Sequence, residues 1–467
     1  MDILAVDVGT TAIKVGVFAP DMSIKGQTSL RYHFNIYDRV KADIDPSIWW
    51  QTFEECCGKM GDLLSSVGVV SLSVTTPGLV PMAEDGTPLG PAILFMDGRS
   101  HKQSKEIRDK VGEKVFLRET CNLPVSGGSS LSSILWIREN QPGVWESAAK
   151  FGHCNTYMVK QLTGRWAIDP STTSITGMYD TRRDDLAWNE QILSVAKIPI
   201  VKLPPLMRSH SKVGTILPDV ASRLGVPRET VVLCGGNDAV LAALSGGVVN
   251  PGDIGNVHGT CDITYVCVDR PVASRRFNLR CHVLPGRWLT FHVLNTGGKA
   301  LEWFQSVFCQ DMTPDQFFMQ YIPHVIASFL DHPQSDTLED DLPTYVPYLQ
   351  GSRYSLEQLT AGFSGLTLET SREMMLLALI KGNLSHQSMH LREVARLVEL
   401  RRTVATSGGA AKIDAFLRAK KRWTGDFDYR LMDQSSLIGA AILGRFHETG
   451  EYDGWRTVPP GPSLRSP

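Results

Sequence analysis

The sequence predicts an α/β protein of two domains, and three observations carry that reading. The chain has 467 residues, more than one hydrophobic core usually supports, so two domains of roughly 200–250 residues are expected. Strand-like apolar runs alternate with segments of helical periodicity in both halves. One short pattern also occurs twice, once near the start of each half. The copies are Asp7-Val8-Gly9-Thr10-Thr11-Ala12-Ile13-Lys14 and His258-Gly259-Thr260-Cys261-Asp262-Ile263-Thr264.

In order, residues 3–19 read as two strands around the first Gly-Thr corner, and a third strand follows from Gly26 to Tyr32. After Asp45-Pro46, a helix is expected from Ser47 to Ser65, anchored by Trp49, Trp50, Phe53 and Leu63. Val67–Val74 is a buried strand by its β-branched run. Gly78–Arg99 reads as strand, turn and strand, with Asp85-Gly86 at the turn and Ala92–Met96 as the outgoing strand. Ile134–Asn140, Trp145–Ala149 and Thr156–Leu162 are helical candidates. Thr230–Cys234 is another buried strand that runs into Gly235-Gly236-Asn237-Asp238, and a small-residue helix, Ala239–Leu244, follows.

The domain boundary is placed near residue 248, giving domains 1–248 and 249–451 and a loosely attached tail, 452–467. The second half repeats the scheme, with strands near 254–268 and 289–296, a short one at Thr403–Thr406, and helices near 298–308, 371–395, 409–421 and 434–447.

Lys+Arg 47 against Asp+Glu 49 gives a net charge of −2, which offers no support for a nucleic-acid or membrane-surface partner. The longest uncharged apolar stretch, around Ala239–Val249, is far short of the roughly 20 residues of a membrane span. The N-terminus has no basic segment and acids interrupt its apolar run, so no signal peptide is expected. Nine cysteines without a Cys-x-x-Cys pair suggest reduced thiols and a cytoplasmic protein, with Cys56-Cys57 packing in a helix.

A Gly-Thr corner offers backbone N–H groups and a hydroxyl at close range, which suits phosphate oxygens. Gly9, Thr10 and Thr11 form one candidate clamp, Gly259 and Thr260 the other; the plain alternative for each is an ordinary hairpin turn. Asp238 follows a strand and two glycines, where a carboxylate can accept the proton of a hydroxyl attacking a phosphoryl group. The alternative is that it caps the next helix. Asp7 can hold Mg²⁺ directly or through water, with Asp238 as the second candidate carboxylate. Lys14 can approach a phosphate or lie solvated at an edge.

Ser407-Gly408-Gly409-Ala410 is strand, glycine turn and helix start, open enough for a base or ribose to lie against backbone. It is neither a dinucleotide fingerprint nor a Walker A loop. Asp97-Gly98-Arg99 can bind vicinal hydroxyls by charge-assisted hydrogen bonds or be a surface ion pair. His386 and His390 have metal-ligand spacing but no third ligand, and read as structural.

Eight segments, taken together in their order along the chain, resemble the FGGY carbohydrate kinases of the sugar kinase, hexokinase and actin-like superfamily, over residues 1 to about 446. "AVDVGTTAIKVGVF" and "GNVHGTCD" look like the family's two phosphate motifs, and "ADIDPSIWW" like its Asp-Pro-x-x-Trp-Trp segment. "EDGTPLGPAILFMDGRS" resembles the sugar-site strand pair, and "YMVKQLTGRWAIDPSTTSITGMYD" the mid-domain signature. "VVLCGGNDAVLAALSGGVVNPGD" resembles the catalytic-aspartate segment, "TSGGAAKIDAF" the adenosine motif and "SSLIGAAILG" the closing helix.

The resemblance implies two ribonuclease-H-like domains of the actin-like ATPase type flanking a central cleft, whose closure would exclude water. It implies ATP and Mg²⁺ as cofactors and a sugar as acceptor: a ketose, polyol or sugar acid, with a xylulose-like sugar leading. It also implies a homodimer. Asp238 is then the general base and Asp7 lies at the Mg²⁺–phosphate centre. Gly9, Thr10 and Thr11 hold phosphate with Gly259 and Thr260, Gly408, Gly409 and Ala410 face adenosine, and Asp97 and Arg99 lie beside the sugar.

The chain departs from this pattern at three places. Xylulokinase-like members carry Gln-Met-His-Gly where this chain has Thr75-Thr76-Pro77-Gly78, and Pro77 cannot donate the histidine's hydrogen bond to sugar. Gly78 and Asn237, the latter where glycine is common, belong to the expected sugar pocket, and Gln434 stands where an acid is common. Two other readings stand beside the kinase. One is an actin-like nucleotide-dependent scaffold or sensor without sugar phosphotransfer; the other is a degenerate kinase that binds sugar for regulation.

Overall fold

The computed structural model describes residues 1–452 apart from 39, 358, 433 and 434. Most of the expected tail and Gln434 therefore lie outside the described residues. The chain divides into two compact units. The first comprises Met1–Val249, Asp269–Leu289 and the described part of Ser435–Pro467; the second comprises Asn250–Val268 and Thr290–Gln434 as far as described.

The first unit is built on a twisted sheet whose strands run, edge to edge, Lys212–Thr215, Val231–Leu233, Val67–Val74, Asp2–Val8, Ala12–Phe18 and Ile24–Arg31. Asp2–Val8, Val67–Val74 and Val231–Leu233 are mutually parallel, and the first two are almost wholly buried, as their β-branched sequences require. The two-residue strand Gly236–Asn237 extends the parallel set, with Gly236 opposite Ser73 and Asn237 opposite Val74. Ser73 also faces Asp7 from its other side, so the carboxyl ends of these strands gather Asp7, Thr75 and Asp238 at one edge.

The helix that begins at Pro46, capped by the Asp45 side chain, ends at Met60 rather than running to Ser65. Gly61 adopts φ +54° and breaks it into a 3₁₀ turn, Gly61–Ser66, which rotates Leu64 into the core and leaves Leu63 exposed. Cys56 and Cys57 are buried on this helix. A second sheet, in the order Asn35–Tyr37, Lys41–Ile44, Ala92–Leu94, Gly78–Met82 and Lys150–Gly152, carries the Asp97 region; the turn at Asp85-Gly86 is present, with Gly86 at φ +94°.

Helices Asp238–Ser245 and Ser436–Thr449 pack face to face on the first sheet. They approach so closely that a Cβ on Gly439 would lie 2.0 Å from the Leu241 carbonyl oxygen.

The second unit has its own sheet, in which Trp288–Leu294 (from Thr290 on), Asp262–Val268, Ile254–His258, Thr403–Ser407 and Asp428–Leu431 are successive neighbours. Its core packs under helices Gly298–Phe308, Ile322–Leu330, Arg372–Val394 and Asp414–Trp423. The expected helix 409–421 is split into a 3₁₀ turn, Ala410–Lys412, and a helix that starts at Asp414, because Ile413 leaves the helical region. Among the described residues no helix is long and apolar enough to cross a membrane.

Candidate active site

In the first unit, the Gly9–Thr11 corner is a tight hairpin, as its plain alternative had it: Gly9 N–H donates to the Ala12 carbonyl at 3.0 Å. Its position singles it out, because it caps the parallel strand that ends in Asp7–Val8. Tyr32 braces it, its hydroxyl donating to the Gly9 carbonyl and its N–H to the Thr11 carbonyl. The Thr10 and Thr75 hydroxyls lie 3.2 Å apart, tying the corner to the next parallel strand. Thr11 remains exposed.

Asp7 is buried, and burial raises its proton affinity despite hydroxyl donors from Ser436 and Ser73, the latter at 2.8 Å. Lys14 stands directly across the hairpin from Asp7, is exposed at its tip, and its charge works against that rise.

Asp238 is the first residue of its helix but not the cap. Asn237 is the cap, its Oδ1 accepting from Val240 N–H at 3.1 Å. One Asp238 oxygen accepts from Ala239 N–H at 2.7 Å. Burial pushes the Asp238 carboxyl up to about 7, the negative charge of Asp7 adds to the rise, and Arg280 opposes it. A carboxylate with raised proton affinity, beside a second acid, is an environment that acid–base sites use.

Asn237 itself is fully buried. Besides its cap it accepts from Arg280 Nη1 at 2.8 Å, and its backbone N–H donates to Ser171 Oγ at 2.9 Å. Ser171 in turn donates to the buried Asp169, which also accepts from Ser209 at 2.9 Å. Asp169 caps Pro170–Thr173, and the bond from Asn237 N–H to Ser171 Oγ ties this mid-domain segment to the backbone just before Asp238.

Asp97 and Arg99 are not a surface pair. Asp97 is 1% exposed, and its oxygens take Ala42 N–H at 2.7 Å, Arg99 N–H at 2.9 Å and Arg99 Nε at 2.9 and 2.8 Å. Arg99 Nη2 reaches Asp43 at 2.8 Å, and its guanidinium lies 5.2 Å from the centre of the Trp136 ring. Asp97 is thus engaged chiefly in holding the guanidinium. Gly78 is buried, and a Cβ there would meet Trp49 only at ordinary contact distance, 3.5 Å.

In the second unit, the side chains under the second corner are locked together. Asp262 accepts from Asn256 Nδ2 at 2.9 Å and from Gln387, and lies 2.5 Å from His258 Nδ1. Burial pushes this carboxyl up, yet His258 and the buried Lys420 more than offset it, and it is held below the usual range. Burial also lowers Lys420 to about 8, where it donates to Asn256 Oδ1. With these groups pinned, the corner offers its backbone and the exposed Thr260 outward.

A cavity of about 410 Å³ opens there. Gly259, Thr260, Gly409 and Ala410 line it together, with Leu301, Phe318, Ile322, Ile413 and Phe416 as apolar walls. The two glycine segments expected at phosphate and adenosine therefore meet at one cavity within this unit.

Gly408 has φ +98°, and a Cβ on it would sit 2.2 Å from the His258 carbonyl oxygen, whereas Gly409 has nothing within 4 Å. Gly408→Ala should therefore lower Tm and ATP affinity together, at a cost of more than about 1 kcal/mol of stability. Gly409→Ala should leave Tm close to that of the parent. Calorimetry with and without ATP checks both, and equal Tm values for the two variants would contradict the steric account.

His386 and His390 are held by protein partners. His386 bridges His292 and Tyr348 at 2.8 Å each, and His390 lies 2.9 Å from Thr290 Oγ1. Among the described residues no group of three or more His, Cys, Asp or Glu is arranged for a metal.

Sequence reasoning missed Asp43, Tyr32, Ser171 and Arg280. Asp43 and Ser171 lie within quoted motifs, but nothing local marks them; Arg280 lies in a segment with no motif at all.

The description of the N-terminal domain of the FGGY family of carbohydrate kinases matches residues 2–245. A gluconokinase of Bacillus subtilis is 25% identical over 471 residues, covering 97% of this chain and 89% of that protein. A xylulose kinase of Lactococcus lactis is 24% identical over 455 residues, covering 95% and 87%. The crystal structure of a ligand-bound xylulose kinase from Lactobacillus acidophilus superposes with a TM-score of 0.87 at 19% identity, covering 97% of this chain and 91% of that one.

The fold is that of the sugar kinases with actin-like ATPase architecture. With more than half of its length matched, the chain belongs to the FGGY family of carbohydrate kinases and is a carbohydrate kinase.

Proposed function

We propose that this kinase transfers the terminal phosphoryl group of ATP to a hydroxyl of a small ketose, polyol or sugar acid, giving a sugar phosphate and ADP. The observation that carries the reading is Asp238: it opens a helix at the carboxyl end of parallel strands, yet Asn237 does the capping. Its carboxylate is thereby kept for the acceptor.

Asp238 takes the proton from the attacking hydroxyl as the oxygen–phosphorus bond forms, and positioning and charge stabilisation supply most of the rest. In the first unit Gly9, Thr10, Thr11 and Lys14 are assigned to bind phosphate; in the second, Gly259 and Thr260 line a cavity that can take one. Gly408, Gly409 and Ala410 shape the wall for adenosine.

Asp7 and Asp238 suit Mg²⁺. They are acidic neighbours whose negative charges raise the cost of ionising Asp238, and Mg²⁺ is usually bound by one or two carboxylates with waters and substrate phosphates. Bound there, the ion would neutralise charge developing on the phosphoryl oxygens.

Arg99, held by Asp97 and Asp43, is assigned to the sugar, as are Gly78 and Asn237. The relatives are named for gluconate and xylulose. Pro77 supplies no side-chain donor to a xylulose-like acceptor, so both sugar types belong in the test. A cognate acceptor at about 100 times its Kd should stabilise the protein by about 2.7 kcal/mol through mass action. Tm is measured with D-xylulose, D-gluconate, related ketoses, polyols and aldonates. A rise with ATP alone and with none of the sugars would favour an actin-like scaffold or sensor.

A further inference from the structure

The carboxylate assigned as base does not hold itself in place. Three contacts converge on the residue before it. Ser171 Oγ receives the Asn237 backbone N–H at 2.9 Å, Val240 N–H donates to Asn237 Oδ1 at 3.1 Å, and Arg280 Nη1 donates to the same oxygen at 2.8 Å. Two donors on one oxygen fix which way the amide faces. The result is costly in one respect: Asn237 Nδ2 is buried with no hydrogen-bond partner among the described residues. A buried donor left unpaired is a penalty that folds accept mainly where another constraint overrides it.

Arg280 arrives from the strand Asn278–Cys281, roughly forty residues further along the chain, in a segment that joins the first unit although the chain has already entered the second. That strand is anchored independently. Asn122 donates to the Leu279 carbonyl and accepts from its N–H, and Ser174 Oγ accepts from Cys281 N–H at 2.8 Å. The guanidinium is therefore delivered to Asn237 by a fixed backbone.

We propose that Arg280 and Asn237 are a pair of positioning residues for phosphoryl transfer: Arg280 locks the Asn237 side chain, and the locked cap sets the direction in which the Asp238 carboxylate faces the acceptor hydroxyl. The inference rests on Asp238 being the base. A misplacement of a reacting group by about 1 Å can cost on the order of 100-fold in rate, so loss of the lock should be visible in kcat.

The test compares Arg280→Met, Arg280→Lys, Asn237→Gly and the double variant Arg280→Met/Asn237→Gly with Asp238→Asn in the full chain. Glycine is well tolerated at a helix N-cap, so Asn237→Gly removes the lock without unravelling the helix. ADP release is followed with D-xylulose and D-gluconate as acceptors, and with water as acceptor if neither sugar is used.

Arg280→Met and Asn237→Gly should each lower kcat by about 10- to 100-fold, with KM for ATP changed less than about twofold. Arg280→Lys should recover part of the loss. The double variant should be no slower than the worse single variant, because both changes remove one device.

Normal kcat in Arg280→Met beside an inactive Asp238→Asn overturns the positioning pair and leaves the base assignment standing. An active Asp238→Asn overturns the base assignment and the pair with it. A lower Tm with unchanged kcat per folded molecule, or strictly multiplicative losses in the double variant, shows that Arg280 only stabilises the fold and overturns the proposal.

Discussion

Asp238→Ala, and more cleanly Asp238→Asn, should reduce acceptor-dependent turnover by about 10²–10⁴-fold while ATP binding stays near that of the parent. The residue stands one position past the cap, so its removal costs the helix little: Asn237 still receives Val240 N–H. Substitution also removes an acid whose ionisation is disfavoured by desolvation and by the charge of Asp7. Unchanged or slightly raised Tm with collapsed kcat is therefore the expected signature, measured by coupled ADP release and calorimetry on the same preparation. A variant that keeps more than about a tenth of parental kcat would remove Asp238 from the role of base.

The largest effect on stability is expected at Arg99. Its side chain is 9% exposed, and its guanidinium is shared between Asp97 and Asp43, with Trp136 beside it. Arg99→Met leaves two buried carboxylates without their cation. Breaking a buried pair by removing one partner costs about 3–5 kcal/mol. For a unit approaching 300 residues, at about 1.5–2 °C per kcal/mol, that corresponds to a fall in Tm of roughly 5–10 °C.

Arg99→Lys should recover little, because an ammonium cannot reproduce the fork that spans both oxygens of Asp97 while reaching Asp43. Thermal unfolding of both variants checks this. A fall of less than about 2 °C for Arg99→Met would mean that the network is not the structural anchor its geometry describes.

Much of the fold is written locally. The β-branched runs Ile3–Val8 and Val67–Val74 could only be buried strands, and the two Gly-Thr corners fall where apolar alternation breaks and resumes. The glycine turns at 259 and 408–409 were readable as places where a ligand can lie against backbone; the second unit brings Gly259 and Gly409 to one cavity, while Gly408 packs against the His258 carbonyl. Asp238 was readable because it follows a strand and two glycines.

The contacts that give these residues their settings were not readable. Asn237 as the cap and Asp238 as the spare acid are a one-residue distinction in backbone geometry that composition does not encode. Asp97 and Arg99 look like a turn pair until Ala42 N–H and Asp43 arrive from more than fifty residues away and bury them. Gly61 ended a helix that apolar periodicity alone extended to Ser65, because a single residue with positive φ outweighs the pattern around it. Arg280 had no local signal, since its partner is 43 residues earlier in sequence.

Phosphoryl transfer by this kinase should need a sugar and the Asp238 carboxylate together. The direct measurement is ADP release from Mg²⁺-ATP across pentuloses, hexuloses, polyols and aldonic acids, with Asp238→Asn run in parallel. Strong stimulation by one acceptor class is expected in the parent and none in the variant. A slow ATP hydrolysis that no sugar stimulates, equal in parent and variant, would contradict that requirement.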